Sequence, residues 1–170
     1  MENIVLVGFM GTGKTTVAKG LAKQLCFSYV DTDDLIEQKE GRKIVDIFKT
    51  DGEAYFRTKE KEVITQISAQ QNKVIACGGG VVLAQENIDH LKKSGTVVCL
   101  YARPEVILER TKSYAHRPLL NVADPQAKIA ELLNARQPYY LQADYVIDTS
   151  DLNVEQVISA VLRVVSNDKD

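Results

Sequence analysis

Residues 8–16 read Gly8-Phe9-Met10-Gly11-Thr12-Gly13-Lys14-Thr15-Thr16. The run fits G-x-x-x-x-G-K-[ST], a pattern that needs a strand before it and a helix after it. Both flanks comply. Asn3-Ile4-Val5-Leu6-Val7 is a short apolar run, as expected of a buried parallel strand, and Val17, Ala18, Leu21, Ala22 and Leu25 follow at helical spacing. A chain that opens this way is committed to an α/β architecture with a phosphate-binding turn at one end of its sheet.

The residue types explain the turn's chemistry. Gly8, Gly11 and Gly13 allow backbone to approach an anion and to adopt dihedrals closed to other residues. Amides of the turn then converge on phosphate oxygens at a helix N-terminus. Lys14 adds a point charge that reaches the β- and γ-phosphates, and Thr15 offers a hydroxyl to the Mg²⁺ that bridges them. The motif indicates nucleotide binding. Taken alone it leaves open a kinase, a switch or a motor.

Composition narrows the field. A length of 170 residues suits one domain, and 45% hydrophobic with 26% charged residues is ordinary for a globular chain. A formal net charge of −2 supplies no broad field for nucleic acid or an anionic membrane, so an anionic substrate has to be held by a few focused cations. Cys26, Cys77 and Cys99 lack metal-ligand spacing and read as small buried residues in a reducing compartment. The first strand starts without a basic leader, and no apolar run approaches a membrane span, so a cytoplasmic location is expected.

Apolar runs near 3–7, 28–31, 73–77, 96–101 and 144–148 predict five strands. Amphipathic stretches near 14–25, 33–40, 52–70, 85–93, 104–112, 125–141 and 153–165 predict helices between and around them. Alternation of this kind implies a parallel sheet covered on both faces. Tyr114 to Asp124 fits neither period. With Arg117 and Pro118 inside it, this segment is a lid candidate over the phosphates, the alternative being an ordinary surface loop.

Further candidates cluster at strand ends. The second strand ends in Val30-Asp31-Thr32-Asp33, which puts carboxylates at the active edge of an open α/β sheet. Asp31 is placed to hold Mg²⁺, directly or through water. Asp33 is placed to accept from a substrate hydroxyl, or to cap the helix that follows. The third strand ends in Cys77-Gly78-Gly79-Gly80, where close approach of a ligand competes with a loose turn as the reason for three glycines. Arg57, Arg110, Arg117 and Arg136 are candidates for gripping carboxylate or phosphate. A surface ion pair is the plain alternative for Arg57, and a helix-end charge for Arg110.

Taken together, Gly8–Thr16, Asp31-Thr32-Asp33, Asp51-Gly52-Glu53 with Phe56-Arg57, Gly78-Gly79-Gly80, Arg117-Pro118-Leu119-Leu120, and Arg136 with Pro138-Tyr139 resemble the shikimate kinase family over essentially the whole chain. This family is a small branch of the nucleoside monophosphate kinase group of P-loop folds. The resemblance implies a three-layer α/β/α fold whose five-stranded parallel sheet has the order 2-3-1-4-5. It implies one domain over 1–170, with a lid about 112–124 and substrate-binding helices about 33–61. It further implies ATP-dependent phosphorylation of the 3-hydroxyl of shikimate, a step toward chorismate and the aromatic amino acids. The expected partners are two small molecules, shikimate and ATP, with Mg²⁺ as cofactor and the chain a monomer.

By the same resemblance, Gly11, Thr12, Gly13, Lys14, Thr15 and Thr16 hold the ATP phosphates, and Arg110 lies against adenine. Thr15 and Asp31 serve Mg²⁺. Asp33 binds the shikimate hydroxyls, Arg57 and Arg136 clamp its carboxylate, and Gly79 and Gly80 offer it backbone. Arg117 closes on the transferring phosphate, so Lys14, Asp33 and Arg117 form the catalytic set. Val45, Phe48, Phe56, Pro118 and Leu119 wall the substrate ring, and Glu60 orients Arg57. Asp148 to Asn153 should form the adenine-side loop, in which no single residue stands out. The rivals are another small-molecule kinase, such as a gluconate kinase, and a nucleotide-dependent binding module. The chain shows no N-K-x-D base-specificity motif and no large basic face that would ask for the second.

Overall fold

The computed structural model describes residues 2–112 and 122–167. Its sheet is parallel throughout, in the order β2-β3-β1-β4-β5. The strands are β1 (Asn3–Val7), β2 (Ser28–Asp31), β3 (Lys73–Ala76), β4 (Gly95–Tyr101) and β5 (Tyr145–Asp148). The described helices are α1 (Lys14–Leu25), α2 (Thr32–Glu40), α3 (Ile44–Thr50), α4 (Gly52–Ser68), α5 (Gln85–Ser94), α6 (Pro104–Thr111), α7 (Pro125–Tyr140) and α8 (Val154–Asn167). A short 3₁₀ turn spans Val81–Leu83.

Side chains alternate across the strands and feed two cores. Ile4 and Leu6 of β1, with Val74, Val98 and Leu100, pack toward Val17 and Leu21 of α1 and Val157 and Val161 of α8. Val5 and Val7, with Ile75, Val97 and Cys99, pack on the other side toward Ile64 and Ile67 of α4, Leu91 of α5 and Ile129 of α7. Burial on both faces explains why β1, β3 and β4 read as unbroken apolar runs. No helix among the described residues is long and apolar enough to cross a membrane.

The register sets the active edge. Asp31 pairs with Ala76, Leu6 with Ala76, Val7 with Cys99, and Tyr101 with Asp148. The C-terminal ends of all five strands therefore finish close to one line. The P-loop leaves β1 at the centre of that line, where β3 and β4 diverge to either side. This is the topological switch point at which open α/β sheets bind ligands.

Three expectations need correction. A seven-residue helix, α3, occupies 44–50, where no element was expected. Gly41 and Gly52, both at positive φ, bracket it, and so short a helix shows the 3.6 period only through Ile44, Ile47 and Phe48. Cys26 is exposed, not buried: it ends α1 with φ 55°, its amide donating to the Ala22 carbonyl. Cys77 and Cys99 are buried as expected. The third concerns capping. Asp33 is not the cap of α2; that residue is Asp31, because the helix starts at Thr32. The lid candidate, with Arg117, Pro118, Leu119 and Leu120, lies outside the described residues but for its edges.

Candidate active site

Gly13 caps α1 at φ 95° and Gly11 turns at φ 76°, so the loop before Lys14 uses backbone conformations that favour glycine. The buried Thr12 hydroxyl donates to the Phe9 carbonyl at 2.8 Å and braces the loop from within. Lys14 Nζ donates to the carbonyls of Gly8 and Phe9 at 2.7 and 2.9 Å, which folds the ammonium over the cradle. Lys14, Thr15 and Thr16 line a cleft of about 220 Å³ together with Asp31, Asp33 and Gly78.

Asp31 divides its two oxygens. Oδ1 accepts from the amides of Asp33 and Asp34, at 2.9 and 3.2 Å, closing the start of α2. Oδ2 accepts from the Tyr29 hydroxyl at 3.4 Å. Burial, with Asp31 alongside, pushes the Tyr29 phenol up to about 12. Capping by Asp31 frees the Asp33 side chain to face the cleft. Burial, reinforced by Asp31 and Glu60 and opposed by Lys14, raises Asp33 from 3.8 to about 6.

The glycine run after β3 is shaped by its neighbours. A β-carbon on Gly78 would stand 2.5 Å from Asp33 Oδ1; one on Gly80 would stand 2.5 Å from Arg57 Nη2; one on Gly79 would stand 3.5 Å from Arg136 Nη1. None of the three lies in the left-handed region that favours glycine. At Gly78 and Gly80 the glycine supplies space, not conformation; at Gly79 a β-carbon would make an ordinary contact. Three consecutive residues thus bring together an acid from α2, an arginine from α4 and an arginine from α7. The run is held from behind by the Thr32 hydroxyl, which accepts from the Gly78 amide at 2.9 Å, and by the Tyr140 hydroxyl, which donates to the Gly79 carbonyl at 3.0 Å.

Arg57 is more than a surface ion pair. Its Nη1 donates to Glu60 at 2.8 Å, and Glu60 is 1% exposed. Burial pushes the Glu60 carboxyl up, while Arg57 and Arg136 pull it down, so this one acid lies in the field of both arginines. The Arg136 guanidinium lies over the Phe9 ring at 5.6 Å, and that of Arg57 over Phe56 at 5.2 Å. Phe48 packs on Phe56 with centroids 4.9 Å apart, while Val45 and Phe48 stay exposed on α3 as an apolar wall.

At the other end of the phosphate cleft, Gly11, Gly13 and Thr16 also border a second hollow of about 540 Å³, lined further by Arg110 and Thr149. Arg110 donates through Nη2 to the Thr149 carbonyl at 2.7 Å and through Nη1 to the Thr149 hydroxyl at 3.0 Å. A helix-end charge therefore describes Arg110 poorly. Sequence reasoning singled out no residue of the 148–153 loop. Thr149, buried at its centre, leaves no trace in the pattern, since a lone threonine in a polar stretch looks like any other.

A family model described as shikimate kinase matches residues 10–166. The chain belongs to the shikimate kinase family. It is 51% identical over 163 residues to a shikimate kinase of Caldanaerobacter subterraneus subsp. tengcongensis, covering 96% of this chain and 95% of that one. A shikimate kinase of Thermodesulfovibrio yellowstonii is 49% identical over the same length, covering 96% and 94%. Among solved structures, shikimate kinase from Acinetobacter baumannii in complex with shikimate superposes with a TM-score of 0.92 at 39% identity, covering 99% of this chain and 95% of that one. Shikimate kinase from Aquifex aeolicus superposes at 0.86 and 35% identity, covering 98% of each chain. The fold and strand order expected of the shikimate kinase family are those observed, and membership makes the chain a kinase with ATP as phosphoryl donor.

Proposed function

We propose that this chain transfers the γ-phosphoryl group of ATP to the 3-hydroxyl of shikimate, giving shikimate 3-phosphate and ADP. The supporting observation is the Gly78–Gly80 run, which sets Asp33, Arg136 and Arg57 around one small space. Two guanidiniums suit a carboxylate, and one acid beside them suits a hydroxyl. A ring carrying both groups meets both demands at once.

In this reading Lys14 and the loop amides grip the β- and γ-phosphates, and Arg110 borders the nucleoside end. Asp33 accepts a hydrogen bond from the 3-hydroxyl and takes its proton as the new O–P bond forms and the bond to the ADP oxygen breaks. A carboxyl poised near 6 is ionised at neutral pH yet basic enough for that task. Arg57 and Arg136 hold the shikimate carboxylate, and Glu60 fixes Arg57. Arg117 supplies further charge to the transferring group. Most of the rate then comes from positioning and charge stabilisation, as is general for phosphoryl transfer.

Mg²⁺ belongs to the same proposal. Among the described residues no group of three or more His, Cys, Asp or Glu side chains could hold a metal by itself. Thr15 and the Oδ2 of Asp31 are hard oxygen donors on one cleft, which fits an ion bound by few protein groups together with substrate phosphates. When bound, the ion would neutralise charge between the β- and γ-phosphates. The test is ADP release from Mg·ATP with and without shikimate, with related hydroxy acids as controls. A large shikimate-dependent rate lost on adding EDTA supports acceptor and metal together. Slow hydrolysis indifferent to shikimate rejects the carboxylate clamp, and turnover with another hydroxy acid instead moves the chain to a different acceptor.

A further inference from the structure

The arginine that precedes α6 and the one in its last turn are used in opposite ways. Arg103, at its start, spends its guanidinium on Asp151 through two bonds of 2.9 Å and on Glu105 at 3.0 Å. Arg110, in its last turn, forms no ion pair with a carboxylate among the described residues; its hydrogen bonds run to neutral oxygens. They are the Thr149 carbonyl at 2.7 Å, the Thr149 hydroxyl at 3.0 Å and the Gly11 carbonyl at 3.4 Å. A cation held this way keeps its full charge for whatever enters the hollow beside it. Bonds made in the guanidinium plane also fix that plane and leave its two faces for stacking.

Thr149 is built to hold the arrangement. It is 1% exposed, and its amide donates to the Tyr101 carbonyl at 2.8 Å. Its hydroxyl has one proton to give. Tyr101 O at 3.0 Å and Thr12 O at 3.4 Å both stand ready to receive it, so the same oxygen is left to accept from Arg110 Nη1. One side chain thereby ties the end of β4, the P-loop backbone and the arginine at the end of α6.

We propose that Thr149 is a positioning residue for nucleotide: its hydroxyl holds the Arg110 guanidinium against the base and ribose of a bound adenine nucleotide, and it acts there and not on the phosphates. The proposal rests on reading Arg110 as nucleotide-facing. Its hydroxyl bond to a charged donor is of the kind whose loss weakens binding by roughly tenfold or more.

The experiment compares Thr149→Val, which keeps shape but loses the hydroxyl, with Thr149→Ser, which keeps the hydroxyl. Each is titrated with ADP and, separately, with inorganic tripolyphosphate, which has no base. Thr149→Val is expected to weaken ADP about tenfold while leaving tripolyphosphate binding and the KM for shikimate nearly as in the parent. Thr149→Ser should restore ADP binding. In an Arg110→Ala background the valine substitution should have no further effect, a comparison that holds even if the single variant is less stable. Unchanged ADP affinity in Thr149→Val, or an Arg110→Ala background in which the valine substitution still weakens ADP, overturns the proposal. Equal loss of ADP and tripolyphosphate does so too, by placing the effect in the P-loop, and so does a serine variant as damaged as the valine one. If Arg110→Ala itself binds ADP normally, the underlying reading of Arg110 fails with it. These titrations need no acceptor, so they stand apart from the question of shikimate.

Discussion

Gly80 sits beneath the Arg57 guanidinium, where a β-carbon would stand 2.5 Å from Nη2 and 2.6 Å from Nη1. The backbone of Gly80, at φ −95° and ψ 0°, is one that alanine adopts freely. Gly80→Ala should therefore fold with stability within about 1 kcal/mol of the parent, because the atoms it meets are the mobile end of a side chain. The displaced clamp should raise the KM for shikimate by about tenfold, on the order of one charge-assisted hydrogen bond, and leave the KM for ATP alone. Paired melting curves and steady-state kinetics check this. A destabilised protein with normal shikimate affinity would mean that the glycine serves the backbone instead.

Asp33 should carry opposite signatures in stability and in rate. Its carboxyl is held near 6 in the folded chain against an ordinary 3.8, so the folded state binds the proton more tightly than the unfolded one. Its contribution is then fully present below about pH 4 and lost as pH rises toward 6. The loss amounts to about 1–3 kcal/mol once partial exposure is allowed for. Asp33→Asn should abolish phosphoryl transfer with ATP still binding, and it should make the substrate-free protein more stable than the parent at pH 7.5 but not at pH 4. Denaturant unfolding at both pH values decides this: parallel pH slopes for the two proteins would reject the assignment.

For the parent, kcat/KM for shikimate should rise with pH through one ionisation near 6, because only the ionised Asp33 accepts the hydroxyl proton. A profile flat from pH 5 to 8 would remove Asp33 as the base and leave it an orienting group.

Arg136→Lys keeps the charge but loses the planar fork that lies over Phe9. The KM for shikimate should rise roughly 10- to 150-fold with a smaller change in kcat, the loss expected for one charge-assisted bond. An unchanged KM would take Arg136 out of the clamp.

Arg117→Ala should lower kcat by roughly 10³-fold or more if the residue stabilises the transferring phosphoryl group as arginine fingers do. Single-turnover kinetics measure it. A drop under about tenfold would make it a residue of the loop surface only.

The strands were legible because parallel strands buried on both faces leave unbroken apolar runs, as in Val74-Ile75-Ala76 and Val97-Val98-Cys99-Leu100. Their order was not: periodicity carries no record of which strand lies beside which, and 2-3-1-4-5 rested on family resemblance. The acids of the site were legible as a group, but not which one caps α2. Every residue of Asp31-Thr32-Asp33-Asp34 is of a type that caps helices, and only the point where β2 stops selects among them. α3 was missed for its shortness. Tyr140, Thr32 and Thr149 bond to backbone from far along the chain, at separations of 61, 46 and 48 residues, and no local pattern reports such contacts.

The place of β1 in the sheet bears on how the chain is made. Its neighbours are β3, beginning at Lys73, and β4, beginning at Gly95. As the polypeptide leaves the ribosome, the first strand and the phosphate loop behind it have no edge to lie against until those later segments emerge. The nucleotide cradle is thus encoded early and assembled late. In the interval the Ile4-Val5-Leu6-Val7 run is an unpaired apolar strand, open to association with other chains.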